Sequence, residues 1–280
     1  MRWRDARRSR NIEDRRGRSP GRVAVGGGLS TIVIIILALV FGVDPTPLLQ
    51  GVNTTSVEQT TAVDPRQNDM ADMVAVVMAD TEDVWNSLFR QNNLQYREPT
   101  LVLFTGSTPS ACGMGQAAMG PFYCPADQKA YIDLRFFDEL HRRHGAPGDF
   151  AQAYVIAHEV GHHVQNLLGI SNRVYQERQR VSQAEGNQLS VRQELQADCF
   201  AGIWANRANR NRNMIEAGDI DEALNAASQI GDDTLQRRGR GMVVPESFTH
   251  GSSAQRQRWF RRGLETGNPD DCDTFNTARL

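Results

Sequence analysis

The sequence predicts an α+β fold, mostly helical with a small sheet, preceded by one transmembrane helix. Residues 23–43 (VAVGGGLSTIVIIILALVFGV) form a run of 21 residues without a charge, about the length that a helix needs to cross roughly 30 Å of hydrocarbon. After residue 64, apolar residues at helical spacing and helix-capping residues recur along most of the chain. Only two segments, TLVLFT at 100–105 and AYIDL at 130–134, are typical of strands.

The first 22 residues form a basic arm with nine arginines and three acids, whereas the rest of the chain has 22 basic and 30 acidic residues. Because arginines resist translocation, the arm is expected to stay cytoplasmic and the chain after Val43 to be exported. A cleaved secretory signal is the alternative, but the arm is long for one and no Ala-x-Ala site precedes Asp44. The acidic remainder argues against nucleic-acid binding, which needs a clustered basic face.

Residues 44–64 are polar and threonine-rich, which predicts a tether between the membrane and a domain at 65–280. All four cysteines follow the apolar run, and an even number suits two disulfides in an oxidising compartment. Three pairings are possible. We favour Cys112 with Cys124, which bracket a glycine-rich loop, and this leaves Cys199 with Cys272. A cysteine zinc site is disfavoured because no pair has the two-to-four-residue spacing of such sites.

The domain should begin with one long or two short helices over residues 65–93, and the two strands lie on either side of the cysteine-bracketed loop. Capping residues then predict where later helices start. These helices are a short one at 136–144, one from Asp149 with Gln152 to Gly169, one from Ser190 with Gln193 to about Ala208, one from Asp219 with Glu222 to about Ile230, and one from Ser252 or Ser253 to Leu264.

The segment His158-Glu159-Val160-Gly161-His162 is an HExxH pattern inside the helix that starts at Asp149, which is the context that this motif requires. At about 100° per residue, the two histidines are about 40° apart on one face and one turn apart, so both can reach one metal ion. Glu159 projects about 60° from His162, near the metal but off the ligand row. A general base for metal-bound water would occupy that position.

A catalytic zinc site usually takes three protein ligands, so a third must come from elsewhere. His163 is a poor candidate because it lies about 140° around the helix from His158, and we expect it to be partly exposed. Glu194 is the better candidate, on a helix with apolar neighbours that favour burial. Asp198, four residues on, shares its face and could accept the second ring N–H of a ligating histidine. A solvated acidic face is the alternative for this pair.

HEVGHHVQ at 158–165 and ELQADCFAG at 194–202 resemble the bacterial neutral zinc metallopeptidase family. The resemblance extends to residues 112–140 and 248–260, and so covers most of residues 65–276. It implies a zincin-like fold related to the thermolysin-like enzymes, Glu194 as third zinc ligand and Asp198 behind a ligand. It also implies a cleft bordered by the strand at 131–134, with a peptide added along that edge.

His250 resembles a histidine of related zincins that stabilises the oxyanion of the tetrahedral intermediate, although a loop histidine without a role is an equal alternative. The resemblance, which does not cover the arm, the span or the tether, thus implies a zinc metalloendopeptidase that hydrolyses peptides or proteins, with Glu159 as general base. The apolar run at 23–43 adds the expectation that it is membrane-anchored and acts outside the cytoplasm. Three rivals remain: an exported zinc-binding or chaperone-like domain without turnover, a metal-free structural domain, and a zinc amidase that acts on a cell-wall substrate.

Overall fold

The computed structural model describes residues 1–17, 65–142 and 145–280. Within these ranges the chain forms a mostly helical structure with a small mixed sheet, which confirms the α+β class. Met1–Arg15 and the chain from Asp64 to Leu280 make one compact unit. The predicted span at 23–43 and the tether at 44–64 lie outside the described residues. In the part of the chain that is described, no helix is both long and apolar enough to cross a membrane.

The main sheet has four strands in the order β1-β2-β6-β5. The first three are parallel, and β5 pairs antiparallel with β6 at one edge. A two-stranded antiparallel ribbon, β3 with β4, lies between β2 and β5 in sequence. The strands are β1 Ile12–Asp14, β2 Thr100–Phe104, β3 Ser107–Ser110, β4 Gly113–Gln116, β5 Phe122–Cys124 and β6 Lys129–Asp133.

The two predicted strands are confirmed as β2 and β6, which are buried along most of their length. The helices are α1 Pro65–Gln91, α2 Arg135–Arg142, α3 Asp149–Leu167, α4 Ile170–Arg178, α5 Gln183–Arg212, α6 Asp219–Gln229, α7 Asp232–Arg240 and α8 Ser253–Thr266. The helices α4 and α7 are absent from the sequence prediction, because their polar composition gives only a weak apolar stripe.

Helix starts depend on capping contacts, and here the predictions were only partly right. Ser252 and Gln255 form the capping box that opens α8, as expected. The box that opens α5 is instead Ser182 with Glu185, so Ser190 lies inside the helix. Neither α3 nor α6 has a side-chain cap. Asp149 is instead a partner of the Met1 ammonium group, at 2.8 Å.

The arm was expected to lie apart from the folded domain, and the structure contradicts this. Residues 12–14 are strand β1 of the main sheet, paired in parallel with β2. Trp3 is buried in the same core cluster as the apolar residues of α1 and α3. The arm is therefore a structural part of the domain.

The core is built around α3, which packs on α5, α6 and α1. Phe150 and Trp204 stack within this core, and both are fully buried. The helices α5 and α8 approach so closely that a Cβ at Gly202 would lie 2.1 Å from the Phe260 carbonyl oxygen. A Cβ at Gly263 would likewise lie 1.9 Å from the Cys199 carbonyl oxygen. Glycine at both positions therefore allows the contact that fixes α8 against α5.

Both favoured disulfides are present, Cys112–Cys124 and Cys199–Cys272, so all four cysteines are paired. The first closes the ribbon segment onto β5, and the second ties α5 to the C-terminal segment. Disulfides persist in oxidising compartments, which suggests an extracytoplasmic location for the domain.

Candidate metal centre

The two histidines of the HExxH segment lie on one face of α3, near its middle. His158 is almost buried at 6% exposure, and the ring centroids of His158 and His162 are 4.7 Å apart. The helix runs unbroken through both positions, so the one-turn spacing of the sequence is preserved.

Glu194 comes from α5 and meets the two rings. Its Oε2 is 3.2 Å from Nε2 of His158, and its Oε1 is 3.4 Å from Nε2 of His162. One ligand atom from each of the three residues lies within 4.8 Å of the others, so the group could hold a metal ion. The helices therefore bring together the three residues predicted as ligands.

The approach of α5 to α3 depends on Gly161. A Cβ at this position would lie 3.0 Å from the carbonyl oxygen of Ala197 and 3.1 Å from its Cα. Real Cβ atoms rarely come so close to backbone, so any larger residue would push the helices apart. The glycine inside the motif thus sets the distance across which Glu194 reaches the histidines.

Asp198 holds the far side of His158. Its Oδ1 is 2.8 Å from Nδ1 of His158, and the carboxylate is fully buried. Because a carboxylate can only accept, Nδ1 donates its proton to Asp198, and Nε2 is the ring atom that faces Glu194 and is available to a metal ion. A histidine in this tautomer is oriented for metal binding through Nε2.

Charge at the site favours a cation. Burial lowers the pKa of His158, but the carboxylates of Asp198 and Glu194 outweigh it and raise that pKa to about 9. Burial raises the pKa of Glu194, yet the neighbouring histidines hold it well below its usual value. The buried carboxylate therefore stays ionised, and positive charge between these donors is stabilised.

His162 is held by a residue of its own helix. Oε1 of Gln165 is 2.9 Å from Nδ1 of His162 and accepts its proton. Nε2 of Gln165 in turn donates to the Gln193 carbonyl oxygen at 2.7 Å. The pair is spaced i, i+3, a signal that the sequence offered and that was not used.

Glu159 is buried at 6% exposure beside the two histidines. Its Oε2 has no hydrogen-bond partner among the residues that the structure describes. Burial raises the pKa of this carboxyl above its usual value, which moves it toward the range of a general base. An unpaired buried carboxylate oxygen is costly, and a bound water beside the three donors would satisfy it. The donor set and this oxygen together fit a zinc ion with a water ligand.

Comparison with known proteins agrees with this geometry. The model of the family described as "Putative neutral zinc metallopeptidase" matches residues 1–275. The chain belongs to this family. It is 49% identical to the uncharacterized protein YpfJ of Escherichia coli K12 over 287 residues, which cover 99% of this chain and all of YpfJ. It is 46% identical to the uncharacterized protein Mb2605 of Mycobacterium bovis over 195 residues, which cover 66% of this chain and 65% of that protein. No solved structure matches.

In this zinc metallopeptidase family member, Arg256 from α8 lies behind Asp198 and was not predicted. The guanidinium is 2% exposed, and its Nη2 also donates to the Tyr154 hydroxyl at 3.2 Å. Tyr154 donates to Oδ1 of Asp198 at 2.6 Å. Asp198 is thus held from three sides, by His158, Tyr154 and Arg256. No local spacing pattern points to Arg256, because it lies 58 positions from Asp198.

His250 lies before α8 and borders the cleft that also contains His158, Glu159 and Glu194. Its side chain is 52% exposed. Nδ1 of His250 is 3.3 Å from Oδ1 of Asp232 at the start of α7. The hydrogen bond that His250 donates to Asp232 raises the pKa of His250 above its ordinary value. Oδ2 of Asp232 accepts the backbone N–H groups of Thr249, His250 and Gly251 at 2.6–3.0 Å, which fixes the loop.

The expectation that His163 is partly exposed is wrong, because its side chain is completely buried. Its Nε2 is 2.6 Å from the Arg97 carbonyl oxygen and must donate to it, so Nδ1 accepts from the Tyr123 hydroxyl at 2.9 Å. Burial lowers the pKa of His163 to about 4, which keeps it neutral. This histidine therefore joins strand β5 to α3, the helix that carries His158 and His162.

The strand beside the cleft is β5, not the one around 131–134 that the resemblance implied. That segment, β6, lies between β2 and β5, and β5 forms the edge. Residues 117–123 and Pro125 border a cleft of about 660 Å³ that also contains His158, Glu159 and Glu194. The antiparallel strand β5 escaped prediction because only three residues pair, within a glycine-rich and cysteine-bracketed segment.

Proposed function

We propose that this protein is a zinc metalloendopeptidase that hydrolyses peptide bonds, with His158, His162 and Glu194 as zinc ligands. The observation that carries the proposal is the unpaired Oε2 of buried Glu159 beside three converging ligand atoms. A site that only stored zinc would have no need for a second buried carboxylate without a partner. Membership of a zinc metallopeptidase family supports the same conclusion.

Two imidazoles and one carboxylate are the donor set of a hydrolytic zinc site that keeps a position open. Zinc bound there supplies Lewis acidity, which lowers the pKa of a water molecule toward 7 and polarises the substrate carbonyl. The two histidines bind through Nε2, because Asp198 and Gln165 hold the Nδ1 protons. The protein thus fixes both rings before metal arrives.

Glu159 acts as the general base. Its Oε2 accepts the proton of the attacking water and later passes it to the leaving amine. The burial that raises its pKa favours the first transfer, since a more basic carboxylate accepts the proton of water more readily. His250 is proposed to donate a hydrogen bond to the oxyanion from the rim of the cleft. The raised pKa of His250 favours its protonated, donating form.

The substrate is proposed to be an extended peptide that adds to the free edge of β5 through main-chain hydrogen bonds. Exposed apolar side chains along the cleft would contact its side chains. Met119 is 69% exposed, Tyr175 66% and Leu235 39%, and all three border the cleft. We therefore expect a preference for apolar residues near the scissile bond.

We also propose that the domain acts outside the cytoplasm, as its two disulfides suggest, and that residues 23–43 attach it to the membrane. Attachment to the membrane does not by itself require a cytoplasmic arm.

The test is a comparison of purified wild type with Glu159→Gln for bound metal and for cleavage of a quenched fluorescent peptide library. Zinc near one per chain is expected in both, with hydrolysis in the wild type and a loss of about 10²–10⁴-fold in the variant. The matched control Glu177→Gln changes an exposed glutamate outside the cleft and should behave as wild type.

Metal-free wild type would refute the zinc assignment, and unchanged turnover in Glu159→Gln would remove Glu159 from the mechanism. Zinc-loaded wild type that cleaves no peptide but hydrolyses cell-wall amide bonds would replace the peptidase with an amidase. Zinc without hydrolysis of either would favour a binding domain.

A further inference from the structure

The outer strand of the main sheet comes from the arm. In the pairing of β1 with β2, Ile12 lies opposite Leu101 and Asp14 opposite Leu103. The Leu101 N–H donates to the Asn11 carbonyl oxygen, and the Arg15 N–H donates to the Leu103 carbonyl oxygen, both at 2.8 Å. The arm thereby satisfies backbone groups that an uncovered β2 would expose at the sheet edge.

The first residues of the arm are also anchored. Trp3 is 8% exposed and belongs to the main apolar cluster. The Arg2 N–H donates to the Met214 carbonyl oxygen at 2.9 Å, and the Ser9 N–H donates to the Ala75 carbonyl oxygen at 2.8 Å. These contacts involve both α1 and the segment after α5, so the arm spans a large part of the domain.

The arginines of the arm match acidic residues of α1. Arg4 pairs with Asp69, Arg8 with Asp72, and Arg7 with both Glu82 and Asp83, at 2.9–3.2 Å. Each exposed pair contributes little by itself. Their common direction is informative, because charge complementarity to α1 accounts for Arg4, Arg7 and Arg8. Retention in the cytoplasm is then not needed to explain these three arginines.

The Met1 ammonium group contacts the starts of α3 and α6. It lies 2.8 Å from Asp149, 3.3 Å from Asp219 and 3.3 Å from Glu216. Burial lowers the pKa of this amine, but the hydrogen bond to Asp149 and the nearby carboxylates outweigh it and raise that pKa above its usual value. The amine is therefore held charged in an acidic setting on the domain.

We infer that the arm and the domain from residue 65 onward lie on the same side of any membrane with which the protein associates. Paired strands are about 4.8 Å apart, whereas one crossing separates its ends by roughly 30 Å. The 21 uncharged residues at 23–43 suffice for one crossing but not for two, each of which needs about 20 residues. If residues 23–43 crossed the membrane once, β1 and β2 would lie on opposite sides and could not pair. The inference replaces the expected cytoplasmic arm with one that accompanies the domain.

Thiol labelling in cells of the full-length chain tests this inference. Arg10→Cys places a thiol on the arm and Glu177→Cys places one on the domain, and both positions are exposed. The native cysteines are all in disulfides, so each variant carries one reactive thiol. A membrane-impermeant maleimide is applied to cells whose outer barrier is opened, before and after the cytoplasmic membrane is permeabilised. A cytoplasmic protein with a known thiol reports on leakage.

The expected result is equal labelling of both variants before permeabilisation. Equal labelling only afterwards, counted above the labelling of the unsubstituted chain, would also support the shared side, while overturning the proposed extracytoplasmic location. Labelling of Glu177→Cys before permeabilisation and of Arg10→Cys only afterwards, or the reverse, overturns the inference.

A second measurement tests whether the arm is docked in the purified full chain. Trp3→Ala should lower the melting temperature by on the order of 10 °C, because it empties a buried site in the core. Leu94→Ala, which truncates a side chain that is 47% exposed, should change it little. Equal melting temperatures for wild type and Trp3→Ala would show that the arm does not dock, which overturns the inference.

Discussion

Arg256 donates two parallel hydrogen bonds to Asp198, from Nε to Oδ2 and from Nη2 to Oδ1, both at 2.9 Å. The pair is buried, and Asp198 in turn accepts the Nδ1 proton of His158. A residue on α8 thereby controls the orientation of a candidate metal ligand on α3. Bidentate geometry of this kind gives directional control that a single point charge does not give.

We expect Arg256→Lys to weaken zinc binding by about 10–100-fold, because Asp198 loses its second hydrogen bond and His158 its fixed orientation. Competition with a chromogenic chelator measures the affinity. Arg261→Gln, at an exposed position of the same helix, is the control and should bind zinc as the wild type does. An unchanged affinity in Arg256→Lys would show that Asp198 needs no support from α8.

Gly161→Ala should separate α3 from α5, since its Cβ would lie 3.0 Å from the Ala197 carbonyl oxygen. We expect a loss of about 1–3 kcal/mol in the free energy of unfolding, together with weaker zinc binding. Urea denaturation and the chelator assay measure the two effects. Gly239→Ala in α7 adds the same methyl group where nothing lies within 4 Å, and it should be neutral or slightly stabilising. Similar behaviour of the two variants would contradict the close-approach argument.

Tyr123→Phe removes the hydroxyl that joins β5 to His163. Because the Tyr123 proton is directed to His163, this hydroxyl positions the strand and does not take part in the reaction. We expect an increase in KM for extended peptides, with kcat and zinc content nearly unchanged. A fall in kcat at constant KM would indicate instead that Tyr123 acts on the reacting atoms.

The stability of the fold depends on the ionisation of Asp232. Burial raises its pKa, but the bonds from His250 and from the loop N–H groups outweigh this, so the folded-state pKa is below 3.8. Its contribution is therefore complete above the unfolded-state pKa and is lost as the pH falls through the folded value. Asp232→Asn should destabilise the protein at pH 7 and much less in strong acid, as urea titrations at several pH values would show. Asp138→Asn, at an exposed position of α2, should have no effect at either pH.

The candidate metal ligands were predictable because their signals are local. A one-turn spacing on a regular helix fixes where His158 and His162 point, and the same rule links Glu194 to Asp198. Arg256 behind Asp198 and Asp232 beside His250 were not predictable, because they reach the site from other elements through contacts distant in sequence.

Predictions from amino-acid composition were wrong where tertiary contacts determine the structure. The arginines of the arm predicted a cytoplasmic segment. In the fold, however, Arg4 and Arg8 form ion pairs with acidic residues of α1. The start of α5 was placed at Ser190, although Ser182 caps it eight residues earlier. The polar first turns of that helix carry too few apolar residues for a helical stripe to be recognised.

The contact between Met1 and Asp219 joins residues 218 positions apart, so it constrains how the chain reaches its native state. Met1 is synthesised 218 residues before Asp219, so the contact has to wait for its second partner. Loop-closure entropy makes such a contact slow to form. Separately, β2 is without its outer neighbour until β1 pairs with it, and an intermediate that lacks this pairing is the one most exposed to aggregation or proteolysis during biogenesis.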